Sequence, residues 1–562
     1  MFPNIFQLFS VRLKLNFILI GLFSIRIPIW VFTAARKHSY YYWTVLILNS
    51  AGIDIGFIVD LRSTLFFTTV SLISFAVFRF SYSYISPYKF FSRFTILLFI
   101  FVLSIIILIF ASNLIFIILG WDGLGVRSYL LVIYYGSTKS YNAGIITVMR
   151  NRLGDVALIF SMGLIIQLGR WRILFYKDFR IISYYFPLLL SWGAFTKRAQ
   201  IPFSAWLPSA MAAPTPVSSL VHSSTLVTAG VYLLFRHFSD LLFVRIHGLI
   251  RFLGVSTILI ARIAAINEKD IKKIVALSTL SQLGLIISSL GCKWVFIAFF
   301  HLIIHAFFKA IIFIRVGNLI HLRQNYQALK NRGSLNLRRP LNNSSLIVAR
   351  FSLCGAPFAA AFFSKEPIVE LSLYRSNSLG LVRCVLLSLY LTLLYRFRLL
   401  KLVVINFVNL RAIINLTEED PLLVKGIFVL LIPSFSRGSV LGAIIIKSPF
   451  PIAYVNSVKY MIFLRFSVSL IILLLSSYKI HYRIQSVVFP MWGIMIYTAS
   501  LFNYKQQVIS FHTNNSNFGF FLNNFIRRVN IFARIRTIMM SSNLIIRRVS
   551  IIPLFIILYA VL

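Results

Sequence analysis

The chain carries only thirteen acidic side chains in 562 residues, few enough to weigh singly. Most stand in polar stretches, such as Glu268 and Asp270 or the run Glu418–Glu419–Asp420. Asp122 and Asp155 do not. Asp122 follows LIFIILGW (114–121) and precedes more apolar sequence, while Asp155 is set in LGDVALIF (153–160). Lys197 ends WGAFTK (192–197), Lys365 ends FFSK (362–365), and His222 lies in LVHSST (220–225). His301, His305 and Lys309 are spaced i, i+4, i+8, which lines them along one helical face over about 12 Å of rise. A charge at the centre of a bilayer costs at least about 2.5–3.5 kcal/mol, so an ionisable group kept there marks an ion path by default. Burial favours the neutral form of a lysine and a nearby carboxylate favours its charged form. A lysine held between those tendencies can release and retake a proton near neutral pH, and a string of such groups is a proton relay.

Blander roles compete at each position. Lys365 could snorkel to an interface, and His301 could be a packed core histidine. His222 could hydrogen-bond a helix backbone, and Asp155 could pair with a nearby arginine.

The elements that must position these groups are membrane spans. Hydrophobic residues make up 59% of the chain and charged residues 12%, with a mean hydropathy of +0.87. A soluble fold could not hide that much apolar surface from water, whereas lipid removes the constraint. A spanning helix needs about 20 mostly apolar residues, and the runs long enough number about 15 or 16. They fall near 5–32, 61–80, 92–110, 112–134, 142–168, 184–200, 202–236 (broken), 246–266, 271–290, 295–320, 342–363, 366–376, 379–405, 421–434, 459–477 and 549–562. The expected fold is therefore an all-α polytopic membrane protein.

Pro202 and Pro208, then Pro214 and Pro216, interrupt the seventh run and would break any continuous helix. Such a break survives at membrane depth only where protein buries it or it lines a wet cavity. Near the C-terminus Phe521, Phe525, Val529, Phe532, Ile535 and Met539 recur at three- and four-residue steps opposite Arg527, Arg528, Arg534 and Arg536. That pattern predicts an amphipathic helix lying along the membrane. Residues 1–35 are apolar over a longer span than a signal-peptide core, and no small-residue cleavage site follows, so no removed targeting segment is expected. Cys292, Cys354 and Cys384 sit in apolar runs without metal-ligand spacing and read as ordinary buried thiols.

The stretch GAFTKRAQIPFSAWLPSAMAAPTPVSSLVHSSTLVTAGVYLLFR (193–236) resembles the signature of the antiporter-like membrane subunits of respiratory NADH:ubiquinone oxidoreductase (complex I), shared with Mrp-type sodium/proton antiporters. WDGLGVRSYLLV (121–132), NRLGDVALIF (151–160), DIKKIVALSTLSQLG (270–284), HLIIHAFFKAIIF (301–313) and SLCGAPFAAAFFSKEPIVE (352–370) follow in the family's order. The resemblance covers roughly 50–480, and the lateral helix with a terminal crossing points to one branch of the family. It implies two inverted five-helix repeats, each with a discontinuous helix, which agrees with the proline breaks. The implied division is 1–90 N-terminal helices, 91–400 translocating core, 401–480 further helices, 481–548 lateral region and 549–562 terminal crossing.

By position the family implies that Asp122 is the charge partner of Lys197 on the input side. It implies that Lys309, with His301 and His305, is the central relay, and that Lys365 releases protons toward the far side. Asp155 and His222 would support that axis. Asp122 is one methylene shorter than the family's usual Glu, and Glu366 stands where Asp is commoner. The implied function is proton translocation across the mitochondrial inner membrane, with other complex I membrane-arm subunits, inner-membrane lipids and protons as partners. No Rossmann glycine motif or cysteine cluster is present. NADH, FMN, iron–sulfur clusters and ubiquinone would act elsewhere in the complex, and no metal or cofactor is expected on this chain. A free-standing Mrp-like antiporter subunit and a non-pumping scaffold are the rival readings.

The formal charge of +43, taken literally, suggests nucleic acid or anionic lipid, yet the basic residues form no stripe. Arg127, Arg150, Arg198, Arg262, Arg315 and Arg350 stand where the family usually has serine or another small residue. Invertebrate mitochondria read AGA and AGG as serine and AUA as methionine. Reading them as arginine and isoleucine would leave arginines outnumbering lysines about two to one with methionine scarce, as here. On that expectation the nucleic-acid reading falls away.

Overall fold

Long apolar segments without interior proline set most of the helices, and prolines set where the others stop. A computed structural model of the chain describes residues 39–48, 51–85, 90–166, 180–237, 246–321, 340–356, 359–374, 379–400 and 421–445, with a few isolated connecting positions. The expected spans at 5–32, 459–477 and 549–562 and the lateral helix at 518–548 lie outside the described residues.

The first elements are two strands, β1 (Ser39–Leu48) and β2 (Ala51–Val59), paired antiparallel. Aromatic and β-branched residues crowd both, a composition suited to a pleated surface. The block expected as N-terminal helices thus contains a hairpin ahead of its first described helix. The hairpin is tied to the helices by Asn113, whose Nδ2 donates to the Asp54 carbonyl at 2.5 Å.

Helices α1 (Leu61–Ile85), α2 (Phe91–Phe110), α3 (Leu114–Ile133), α4 (Thr138–Ile166) and α5 (Arg180–Lys197) follow the predicted spans closely. The broken segment resolves into α6 (Trp206–Ser209), a 3-10 turn (Ala210–Ala212), α7 (Thr215–Leu220), a π turn (Val221–Thr225) and α8 (Leu226–Arg236). Then come α9 (His247–Asn267), α10 (Ile271–Gly291) and α11 (Val295–His321), followed by α12 (Pro340–Cys354), α13 (Phe362–Tyr374), α14 (Leu379–Leu400) and α15 (Pro421–Ile445). Among the described residues, seven helical segments are long and apolar enough to cross a membrane, counting the α7–α8 segment as one. The predicted span at 342–363 ends early, at Cys354. Gly355 takes a φ of +84°, a left-handed helix terminus that glycine adopts without a Cβ penalty. The chain then turns and restarts as α13, giving a second interrupted helix.

The most enclosed of the long unbroken helices are α10 and α11, matched only by the broken α7–α8 segment among the described residues. Every residue of α10 except Lys273 is buried, as is α11 from Ile297 to Asn318 and on to Ile320. A helix of this length spans about 40 Å at 1.5 Å per residue. Its apolar surround leaves His301, His305 and Lys309 with protein on all sides, and that environment is what makes them chemically unusual.

Candidate functional site

The first group of ionisable residues gathers where α3, α4 and α5 meet. Lys197 is the last residue of α5 and is fully buried. Its ammonium donates to the Trp121 carbonyl and lies 3.9 Å from the centroid of the Trp121 ring, a cation–π contact on a desolvated lysine. Close approach of α4 to α5 makes this possible. A Cβ on Gly154 would fall 2.0 Å from Thr196 Oγ1 and 3.2 Å from the Gly193 carbonyl oxygen, so only glycine lets the two helices meet at that level.

Asp122 makes its direct ion pair with Arg152 and acts on Lys197 only at a distance, as one of two carboxylate charges around the ammonium. Its carboxylate, nearly half exposed, accepts from Arg152 Nη1 at 2.9 Å. Arg152 also reaches Asp155 Oδ2 at 3.4 Å, one helical turn along α4. The shorter aspartate side chain finds its partner on the facing helix, and Lys197 is left to a carbonyl and a ring face. Asp155 is buried and does pair with an arginine; its Oδ1 has no hydrogen-bond partner.

Beyond α5 the backbone is irregular, and side chains replace its lost hydrogen bonds, as buried polar groups require. Pro202 follows a cis peptide bond, Pro214 caps α7 and Pro216 lies in its first turn, a position where a missing N–H costs nothing. Trp206 Nε1 donates to the Thr196 carbonyl at 2.9 Å, and Lys272 Nζ donates to the Ala213 carbonyl at 2.9 Å. His222 sits in the π turn, buried, with its ring 6.0 Å from that of Trp206 and neither ring nitrogen hydrogen-bonded.

The second group lies along α11 and α13. Lys309 Nζ donates to Ser278 Oγ at 2.5 Å and to the Val275 carbonyl at 3.5 Å. His305 follows one turn away, its ring 6.4 Å from that of His301, with no hydrogen bond to either nitrogen. His301 joins two helices: Nδ1 pairs with Ser364 Oγ at 2.9 Å and Nε2 approaches Gln282 Oε1 at 3.4 Å. Ser364 is the neighbour of Lys365, whose Nζ donates to the Cys354 carbonyl at 2.9 Å. Lys365 is buried and does not snorkel. It instead satisfies the last carbonyl of α12, where a cation also meets the negative end of the helix dipole.

Several partners escape a reading by residue type. Lys272, buried at the start of α10, looks in sequence like half of an interfacial Lys–Lys pair. Yet Lys272, Val275, Ser278 and Gln282 recur at three- and four-residue steps, so one face of α10 serves the broken helix, Lys309 and His301 in turn. That periodicity was the available signal.

The arginines divide sharply. Arg152 pairs with two carboxylates and Arg236 with Asp60, at 3.0 Å. Arg198 and Arg262 are fully buried and Arg350 nearly so. Arg198 donates from Nη2 to the Gly230 carbonyl and leaves Nε and Nη1 without partners. All three nitrogens of Arg262, and Nη1 and Nη2 of Arg350, have none. Arg150 reaches only the Pro202 carbonyl at 3.4 Å, Arg127 is half-buried, and Arg315 is buried in α11. Cys292 and Cys354 are buried free thiols, and Cys384 is partly buried.

Residues 111–392 match the family described as NADH:quinone oxidoreductase/Mrp antiporter, TM. The chain is 43% identical over 381 residues to NADH-ubiquinone oxidoreductase chain 5 of Lumbricus terrestris, covering 68% of this chain and 66% of that protein. It is 41% identical over 440 residues to the protein of the same name from Locusta migratoria, covering 78% and 76%. Two solved structures share the fold at 20% identity. One is the archaeal membrane-bound sulfane sulfur reductase complex, with a TM-score of 0.67 over 77% of this chain and 90% of that one. The other is the Mrp complex from a Dietzia species, with a TM-score of 0.62 over 96% of this chain and 59% of that one.

Proposed function

The chain belongs to the NADH:quinone oxidoreductase/Mrp antiporter family, among relatives named NADH-ubiquinone oxidoreductase chain 5, and from that premise we propose that it translocates protons across the mitochondrial inner membrane as a membrane-arm subunit of respiratory complex I. Electron transfer from NADH to ubiquinone would run on other subunits and drive it. NADH, FMN, iron–sulfur clusters and ubiquinone are bound elsewhere in this reading, and the partners of this chain are neighbouring membrane-arm subunits and lipid.

The observation that carries the proposal is the buried line Lys309, His305, His301, Ser364, Lys365. Each member lies within a helical turn, or one hydrogen bond, of the next. A proton on Lys309 has imidazoles on its own helix to pass to, and His301 delivers it beside Lys365 through the Ser364 hydroxyl. Lys197 forms the corresponding loading group in the first half. There Asp122 acts on Lys197 through Arg152 and Asp155, by shifting charge close to the ammonium without touching it. Pro202, Pro214 and Pro216 keep the intervening helix open, so that His222 and Lys272 stand between the two halves.

The test is replacement of Lys309 by Ala at the equivalent position of a homologous complex that can be purified and reconstituted. Loss of proton uptake into vesicles, with NADH oxidation monitored in parallel, is the expected result. Unchanged pumping per NADH would leave the chain a scaffold.

A further inference from the structure

We infer that positions 198, 262, 350 and 396 carry serine hydroxyls in the protein the cell makes, and that three of these hydroxyls line the second half of the relay. The inference rests on the relay reading for the role of the hydroxyls, but not for their identity.

A guanidinium keeps its charge and its five N–H donors in any protein environment. Burial is tolerated when a carboxylate faces it and its donors are met. Arg152 and Arg236 satisfy that condition, with Asp122 and Asp155 around one and Asp60 against the other. Arg198, Arg262, Arg350 and Arg396 fail it. Among the described residues none has a carboxylate partner, and each leaves at least two nitrogens without a hydrogen bond. Arg396 donates from Nε to the Tyr395 hydroxyl at 3.0 Å and lies beside the Cys354 thiol, neither of them a carboxylate.

Their placement worsens the conflict. Arg262 and Arg396 lie within electrostatic reach of each other and of Lys365, and Arg350 and Arg396 within reach of Lys309. Fixed positive charges beside two lysines repel the further positive charge that a proton relay must pass along them.

A serine in a helix has neither problem. Its hydroxyl bonds the carbonyl three or four residues back, as Ser191, Ser278, Ser288 and Ser352 already do on neighbouring turns. It also keeps a lone pair for a mobile proton or a water. AGA or AGG codons at the four positions, read as serine, would supply the exchange. The pairing pattern therefore sorts the arginines: acid-paired ones are genuine, and buried orphans are serine.

Fragment-ion mass spectrometry on the complex purified from the source organism, digested once with trypsin and once with chymotrypsin, decides the matter. Serine is expected at 198, 262, 350 and 396, each with loss of the tryptic cut and a peptide lighter by the arginine–serine mass difference. Arginine is expected at 152 and 236. Arginine at any of the four, or serine at 152 or 236, overturns the sorting. Pumping by the same preparation is measured separately, so serine readings from a complex that does not pump would sink the relay reading and leave these identities standing.

Discussion

The two halves of the site hold their lysines by different means. Around Lys197 there are two carboxylates and an arginine, and one carboxylate, that of Asp122, is nearly half exposed. Around Lys309 and Lys365 no carboxylate among the described residues makes contact, and the ammonium groups rest on the hydroxyl of Ser278 and on backbone carbonyls. A lysine beside a rearrangeable ion pair has a charge state that a distant event can set, because moving Arg152 changes the local field strongly in a low-dielectric site. A lysine on fixed carbonyls answers chiefly to its neighbours along the helix. The first half is thus suited to receive a signal and the second to pass a proton.

The sharpest way to break this comparison is at its most isolated member. Lys309→Ala in a homologous complex removes the only amine on the His301–His305 face of α11. Positioned acid–base groups contribute typically about 10²–10⁴-fold, so proton uptake into vesicles should fall by about 100-fold or more. A fall of less than about threefold would mean that protons bypass α11.

Gly154→Val tests whether the first half depends on helix contact more than on charge. The added carbons would collide with Thr196 Oγ1 and the Gly193 carbonyl, and overpacking of this kind costs typically about 1–3 kcal/mol. The expected outcome is a lower melting temperature of the membrane arm, together with weaker pumping as Lys197 shifts from Trp121. A stable variant that pumps normally would show that the cation–π contact does not matter.

Ser364→Ala in the second half removes the hydroxyl between His301 and Lys365. A single neutral hydrogen bond is worth about 0.5–1.5 kcal/mol, so pumping should slow by roughly two- to tenfold while the complex assembles normally. Ser364→Thr, which restores the hydroxyl, should recover most of the rate. Equal rates for Ser364→Ala and Ser364→Thr would take Ser364 out of the path.

Much of this architecture was legible in the sequence. Apolar runs located α1 to α5 and α9 to α11 within a few residues, because a membrane span must satisfy its backbone internally and so reads as one long helix. The ionisable residues inside those runs, from Asp155 to Lys365, were legible for the same reason. Pairings were not. Arg152 meets Asp122 across thirty positions of chain, and nothing in the spacing tells whether Asp122 faces Lys197 or Arg152; only the packing of α3 on α4 decides. Lys272 was hidden by Lys273 beside it, which stays partly exposed against Asp270. The hairpin of β1 and β2 escaped because its alternation is diluted by aromatic residues on both faces, including the exposed Tyr40, Tyr41 and Trp43.

The smallest effect expected is also the one that isolates the ion pairs. Arg152→Gln leaves the helices in place and removes the cation between Asp122 and Asp155. Because the Arg152 and Asp122 side chains are about half exposed, their pair is worth at most about 1 kcal/mol to stability, and the melting temperature should barely move. The released charge, however, acts on Lys197 through protein. Without Arg152 the two carboxylates attract the Lys197 ammonium with no competing cation, so pumping should slow by up to about fivefold. The slowing should shrink as ionic strength rises, since the exposed Asp122 charge is screened while the buried Asp155 is not. A variant whose pumping is unchanged at every salt concentration would remove Arg152 from control of Lys197. The first half would then resemble the second, with a lysine fixed by its carbonyl and ring contacts alone.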